Sequence, residues 1–572
     1  MIAPHIIRWL EDCILNHGKC QALATSSTSL PNGAATGKDD SPSSANFLPT
    51  RLVEMHEEAG RLRLKLMKSS EIIPTPQSQR YGPRLQLGLR NPEYVALSYC
   101  WGEGTSQPVT SQHTIGRHLI DIDIQSLPKT IQQAMSLVFR LGISYVWVDA
   151  LCIIQPSDND SSDWERESSM MGQVYSNSVF TLMAEHASDV HGGLLPSRPA
   201  FKYPLRSLSF DTFKPQPPLY FKKDVIPSTD AKTSLFTFCP ALANVQGVVG
   251  SSPLSRRGWT LQERIMSTRA VHINAEGVFW NCAELAASEH HPTRSSAEDM
   301  ADQGHYISYP RIRCRWDRSL SRDELIRMWM DIIRQYSARR LTNVTDKLPA
   351  LSGVAKAFYQ HYSSNDEYLA GMWGSMLPKT LLWHTRPRPT SVPSHRWRER
   401  IPGIPTWSCL SVTSPIVFER EHISRQSLSW DVETLSGTTK KVGQDPFGHV
   451  LGGRWRLSGD IRVMQLRMDR SAPTGFEIFK REDDRFYSSV YFDELPLLKS
   501  ILDSDVDEVL LTVLRVCHFT DTPYRDYSLL LERTEDTSKK EYRRIGIYAR
   551  DRDKKDVLVE AGLWDRCEID LV

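Results

Sequence analysis

At 572 residues the chain has room for roughly two to four domains, and 40% hydrophobic residues with 15 Trp, 19 Tyr and 18 Phe can fill several cores, so wholesale disorder is excluded. Sixty-nine Lys+Arg against 68 Asp+Glu leave a net charge of +1, too little for a global field that would steer the protein onto nucleic acid or anionic lipid. No run approaches the ~18 apolar residues of a membrane span, and Glu11 and Asp12 sit where a signal peptide needs its apolar stretch, so a soluble, cytoplasmic protein with no nucleic-acid partner is expected.

The N-terminus brings Cys13, His17 and Cys20 together, three zinc-type ligands with no partner cluster nearby to supply a fourth. The reading adopted is an amphipathic helical stub and no metal. The ten cysteines are otherwise scattered without a C-x-x-C pair, as expected of reduced, mostly buried thiols. Residues 21–49 are Ser-, Thr-, Ala-, Gly- and Pro-rich and cannot offset their ordering entropy by burial, so residues 1–49 read as a stub and a flexible linker. Leu62 to Leu66 then alternates like a lead-in strand.

Tyr94 to Tyr99 is a β-rich run that exits at Cys100-Trp-Gly102. Pro128 opens a helix carrying Ile131, Met135, Val138 and Leu141 on one face, and Gly142 stops it. Tyr145–Asp149 reads as a second strand, Ser161–Tyr175 as a second helix and Val179–Ala184 as a third strand. Strand, helix, strand, helix, strand implies an α/β class with a parallel sheet covered on both faces. Residues of about 196–250 read as an insertion, and 269–273 and 278–282 as a hairpin joined at Asn274 to Gly277. From about 320 the period is helical over 323–340, 347–362 and 377–383. After Pro405-Thr-Trp-Ser408 it alternates, with strands expected over 455–457, 463–468, 486–492, 510–516 and 527–531. The charge-dense stretch 534–556 reads as a solvated hairpin. The domains expected are thus 50–300 with its core at 94–265, a helical region 301–409, and a separately packed β-rich module 410–572.

An open parallel sheet binds ligands at the carboxyl ends of its strands. Here those ends are Ser98 to Gly102, Asp149 to Cys152, and Glu185-His186. Gly102-Glu-Gly-Thr-Ser-Gln107 lacks the third glycine of a dinucleotide fingerprint, and neither G-x-x-x-x-G-K-[ST] nor G-x-S-x-G occurs. On the second helix, Ser162 and Glu165 have the spacing of a capping box. At about 100° per residue Glu167 falls on the apolar stripe with Trp164, Met171, Val174 and Tyr175. A carboxylate there either serves chemistry or meets a structural Arg or solvent. Asp149 suits a ribose hydroxyl or the cap of its own turn. Cys152 with His186 would suit thiol catalysis, though its apolar run argues against it. Arg257, Gln262, Glu263 and Arg264 beside Trp259 suit an anionic or planar ligand, or an ion-paired helix.

Five ordered blocks carry a resemblance: 94–102; Leu127-Pro-Lys-Thr-Ile131; Leu141 to Gln155; Asp163-Trp-Glu-Arg-Glu167 with Met171 and Tyr175; and Arg257-Gly-Trp-Thr-Leu-Gln-Glu263. Together they resemble the fungal heterokaryon incompatibility (HET) domain. Asp346 to Gly353 and Pro405-Thr-Trp-Ser408 look like segments that commonly follow it. The resemblance implies a module of allorecognition and regulated cell death, with a TIR/flavodoxin-like parallel sheet distantly similar to the TIR domain. Many TIR relatives cleave NAD at the nicotinamide–ribose bond with a helix-borne glutamate, and the position here that looks similar is Glu167. The site it implies has Glu167 as catalytic residue and Ser98, Trp101, Gly102, Asp149, Cys152, Trp164, Arg257, Trp259, Gln262 and Glu263 around NAD as substrate, with no required cofactor. Other TIR relatives are oligomerising adaptors, so the alternative is a scaffold that forms a homo-oligomer or binds an allorecognition partner protein.

Overall fold

A computed structural model describes residues 2–26, 47–72, 92–197 (except 103, 105–106 and 158–159), 206–211, 233–238, 249–289, 292, 320–385 (except 363–365), 399–418, 428–467, 477–478, 487–493, 508–520, 526–551 (except 537) and 564–572. Most of the expected linker and most of the expected insertion lie outside these residues. The start of the linker is helical, because α1 (Ala3–Asn16) is followed directly by α2 (Gly18–Ser26).

The three strands read from periodicity, β3 (Tyr94–Ser98), β4 (Tyr145–Trp147) and β5 (Thr181–Ala184), are adjacent and parallel in one eight-stranded sheet. The strands before them are β1 (Arg51–Glu58) and β2 (Arg61–Lys68); those after them are a separate hairpin, β6 (Arg206–Asp211) with β7 (Thr233–Phe238), and then β8 (Arg269–Asn274), β9 (Gly277–Cys282) and β10 (Ala286–Ser288). The sheet order is β10-β9-β8-β5-β3-β4-β1-β2, with β8 parallel to β5 and the outer strands antiparallel. Every residue of β3 and β5 is buried, as a parallel sheet covered on both faces requires.

Two short helices sit among these strands, α3 (Ile115–His118) and α5 (Asp149–Cys152). The crossovers are α4 (Lys129–Arg140), which carries the chain from β3 to β4, and α6 (Ser162–Asn177), which carries it from β4 past β3 to β5. Right-handed crossovers in opposite directions put these two helices on opposite faces. The direction changes between β3 and β5, and the crevice at their carboxyl ends is where such sheets bind ligands.

The cap of α6 falls one residue earlier than expected: Ser161 is the N-cap and its hydroxyl donates to the Glu165 carboxylate at 2.6 Å, so the capping box read at Ser162 does not form. Asp160 takes that role by accepting from the backbone and side chain of Ser162.

The helical block is not a separate body. α7 (Trp259–Met266), α8 (Arg322–Ser337) and α9 (Pro349–Tyr362) are formed, but 377–383 contains only a single 3-10 turn at Lys379–Leu381 before a strand begins at Trp383. α9 packs on α6 and α7. The contact is close because two glycines face each other: a Cβ on Gly353 would stand 3.1 Å from Gly172 Cα and 2.7 Å from Gln262 Oε1.

The last third is β-rich as expected, but one hydrophobic core runs from α1 through the helical block into this module, which corrects the separate packing read from the change of period. Its nine-stranded sheet includes Val450–Arg467, Glu508–Phe519, Asp526–Arg533 and Glu541–Asp551. The stretch read as solvated therefore contains a core strand, with Tyr542, Ile545 and Ile547 buried. Arg544 lies in it with no exposed side-chain surface, because Asp493 (Nε to Oδ2, 3.0 Å), the Leu381 and Trp383 carbonyls and the Trp383 ring enclose its guanidinium.

Gly353→Ala forces backbone against backbone at the α6–α9 crossing. Chemical denaturation is expected to show a loss of about 1–3 kcal/mol, as overpacking costs in a filled core, whereas Gly116→Ala, which meets nothing within 4 Å, is expected to change little.

Candidate functional site

The residues expected at the strand ends converge in part. Trp101, in the loop after β3, donates its Nε1–H to Asp149 Oδ2 at 2.9 Å, and Asp149 Oδ1 accepts from Ala150 N at 2.7 Å, the turn-capping role. Gly102 has φ +93, the left-handed geometry that lets the chain leave β3 sharply. Arg257 reaches over from the segment before α7 and donates Nη1–H to the Tyr99 carbonyl. Glu263 of α7 faces the same centre with only 4% exposure, while neither its Oε2 nor the Ser98 hydroxyl beside it completes a hydrogen bond among the described residues.

Burial pushes the Glu263 carboxyl up to about 7; Asp149 adds to the rise, and Arg257 and Ser98 only partly oppose it. Burial also raises the Asp149 carboxyl, against the pull of Arg257 and the Trp101 and Ala150 donors. Both carboxyls thus feel Arg257, and Glu263 also feels Arg264, in a low-dielectric place where burial still wins, the kind of environment that sets an acid and a base apart at neutral pH. Buried Tyr99 and Tyr175 adjoin the cluster, and burial raises both phenols well above their ordinary range.

Glu167 stands apart from that cluster. It is buried as its wheel position requires, but its Oε1 accepts from Arg166 (3.0 and 3.2 Å) and lies 3.8 Å from Arg51 Nη2. Arg51 also pairs with Asp163 and donates Nε–H to the Cys152 carbonyl at 2.7 Å, while Asp163 accepts from Ile154 N at 2.8 Å. Of the two readings open at the helix, the structure supplies the cations. Among the described residues no hydrogen bond or ion pair links Glu167 to Asp149, Arg257 or Glu263. Sequence reasoning missed Arg51, because β1 was not recognised as a strand. Asp163 could have been found: it is one helical turn before Glu167 and shares its face.

The other expected contacts are occupied by protein. Trp164 meets Trp259 edge-on with ring centres 6.1 Å apart, Trp259 Nε1 donates to Asp346 Oδ2 at 3.2 Å, and Gln262 Oε1 accepts from Gly353 N at 2.7 Å. The helical block therefore covers the face on which these three were expected to hold a nucleotide. Cys152 is fully buried and burial pushes its thiol up to about 12, which disfavours the thiolate at neutral pH.

At the end of β5, Glu185 is fully buried and accepts from Arg264 Nη2 at 2.7 and 2.8 Å, His272 Nδ1 at 2.7 Å and the Ser252 hydroxyl at 2.5 Å. Burial alone would raise this carboxyl, but Arg264 and His272 outweigh it and hold it at about 2. The expected metal-free stub also needs correction in one respect: a fourth donor does reach Cys13, His17 and Cys20, namely Cys282 at the end of β9.

The fold and its strand-end site define an α/β domain of the doubly wound kind. Residues 94–263, under a third of the chain, match the heterokaryon incompatibility protein (HET) family, so this part of the α/β unit is a HET domain. No curated protein and no solved structure matches the chain. Among the described residues no helix is long and apolar enough to cross a membrane.

Two pH effects of opposite sign follow. The folded state raises the Glu263 pKa from 4.5 to about 7, so the native state binds the extra proton and stability falls as pH rises across that interval. Glu263→Gln is expected to be more stable than the parent by about 1–3 kcal/mol at pH 8, and by little at pH 4.5, in urea titrations. Glu185 is lowered from 4.5 to about 2, so its contribution is present above 4.5 and is lost as pH falls toward 2. Glu185→Gln at neutral pH leaves Arg264 buried without its charge partner and should cost about 3–5 kcal/mol.

Proposed function

We propose that the HET domain is a cell-death effector that cleaves a nicotinamide dinucleotide in the crevice at the carboxyl ends of β3, β4 and β5. The observation that supports this reading is the pair of buried carboxyls, Asp149 and Glu263, both raised by burial against the partial pull of Arg257, beside the buried Ser98 hydroxyl at the end of β3. Burying two such carboxyls side by side costs stability, even though Asp149 also caps its turn, and groups of that kind gather where chemistry needs them.

In the reaction, the bond between ribose C1′ and the nicotinamide nitrogen breaks and its electron pair leaves with nicotinamide. A carboxylate stabilises the oxocarbenium-like centre, and water adds at C1′ as its proton passes to a base. Glu263, titrating near neutrality, takes the water proton; Asp149 faces the developing cation. Trp101 offers a ring face to a base, and Arg257 a charge to a phosphate. Glu167 is the competing carboxylate, carried by the distant likeness to TIR domains. Its charge is already matched by Arg51 and Arg166, which weakens it as a partner for a developing cation.

Purified full-length protein, assayed for nicotinamide release from NAD as monomer and as enforced oligomer, tests the reading. Glu263→Gln is expected to lower turnover by at least about 100-fold, because a positioned catalytic carboxylate contributes several kcal/mol. Glu165→Gln, on the exposed face of α6, should leave it intact. A loss confined to Glu167→Gln, with the fold retained, would move the catalytic role to α6. No release by the parent protein in either state, with toxicity in a fungal host preserved, would replace the enzyme by an oligomerising scaffold.

A further inference from the structure

The N-terminal arm ends in a cluster that the strand-end site does not use. Cys13 lies in the last turn of α1, His17 joins α1 to α2, Cys20 lies in the first turn of α2, and Cys282 closes β9. Their four ligand atoms all lie within 4.8 Å of one another, although Cys282 is more than 260 positions away in sequence. All three cysteines have no exposed surface and none is in a disulfide.

The surroundings are those of thiolates. Arg269, itself buried, donates Nε–H to Cys13 Sγ at 3.2 Å and its Nη1–H to the Val179 carbonyl, and it pairs with no carboxylate among the described residues. Leu285 N donates to Cys282 Sγ at 3.2 Å. His17 presents Nδ1 to Cys282 Sγ at 3.3 Å and turns Nε2 toward Asp12 Oδ2 at 3.6 Å, the outer carboxylate that commonly orients a metal-bound imidazole. A buried guanidinium aimed at a neutral thiol is costly, whereas one aimed at an anionic sulfur is compensated.

We propose that Cys13, His17, Cys20 and Cys282 form a structural zinc site that clamps the N-terminal helices onto β9 of the eight-stranded sheet. Three soft sulfurs and one imidazole are a tetrahedral zinc set, closed to substrate because every position is taken by protein. With Zn–S bonds of about 2.3 Å the ligand tetrahedron has edges of about 3.8 Å, so a small inward movement of these four side chains closes it around the ion. On binding, the three thiols release their protons to solvent; three thiolates around a dication leave one net negative charge, which Arg269 offsets. Other contacts already seat the arm there: Trp9 packs on Trp280 with ring centres 6.2 Å apart, and Lys19 N donates to Glu284 Oε1 at 2.5 Å. The fourth ligand had to come from β9, since α1 and α2 together provide three.

Full-length protein purified under reducing conditions without chelator should contain one zinc per chain by elemental analysis. After cobalt exchange it should show the sulfur-to-metal charge-transfer bands of a tetrahedral thiolate site. Cys282→Ser should weaken zinc binding by at least about 100-fold, more than the loss of an outer-shell partner, while Cys567→Ser, far from the cluster, should retain full metal. A parent protein that holds less than about a tenth of an equivalent after zinc incubation, and gives no such bands with cobalt, overturns the proposal. So does mass spectrometry of alkylated protein showing two of these cysteines joined in a disulfide, or a folded Cys20→Ser, Cys282→Ser double variant that keeps its zinc. If the single variants fail to fold, the metal content and cobalt spectrum of the parent decide.

Discussion

The buried pairing of Glu185 with Arg264 is the interaction on which the centre of the molecule depends. It joins the end of β5 to α7, and His272 extends it to β8, so two parallel strands and one helix share a single buried charge centre. A helix buried at seven of its eight positions cannot be oriented by an apolar stripe, since every face is covered. The bidentate carboxylate fixes its rotation instead. With Arg264 held on the sheet, the adjacent Glu263 turns toward the strand ends and Gln262 toward α9. The same pair that stabilises the fold therefore places the titratable carboxyl of the candidate site.

Similar staples recur where other layers meet. Arg51 ties β1 to α6 through Asp163 and to the end of α5 through the Cys152 carbonyl, and Arg544 ties the C-terminal sheet to the chain around Trp383. Such pairs are not large sources of net stability, because desolvation offsets most of the attraction, but breaking one leaves an uncompensated charge. They act as registration devices between layers that hydrophobic contact alone would allow to slide. This explains why the HET domain, the helical block and the β-rich region share a core although the period of the sequence changes twice.

The two carboxylate groups of the HET domain differ in their cations. Around Glu167 and Asp163 stand Arg51 and Arg166, so the group is balanced; around Asp149 and Glu263 stand Arg257 and, on the Glu263 side, Arg264, which is already paired with Glu185, and both carboxyls stay raised. Position on a helix wheel could find a buried glutamate, but it could not count the charges facing it.

The sequence by itself determined the local elements and the class. Continuous β-rich runs at 94–99, 145–149 and 179–184, with a helical period between them, pointed to a parallel α/β sheet, because that arrangement buries strands on both faces. It also placed Glu167 inward and put Ser98, Trp101 and Asp149 at the strand ends. What only the tertiary structure decided is everything carried by partners far apart in the chain. Arg51 neutralises a helix more than a hundred positions away, and Gly353 and Asp346 cover the face on which Trp164, Trp259 and Gln262 were expected to bind a ligand. Arg544 becomes buried in a charge-dense stretch because Asp493 awaits it, and Cys282 completes a cluster opened at Cys13. Periodicity reports which side of an element is buried. It does not carry the identity of what lies against that side, and charge compensation and ligand sets are properties of that identity.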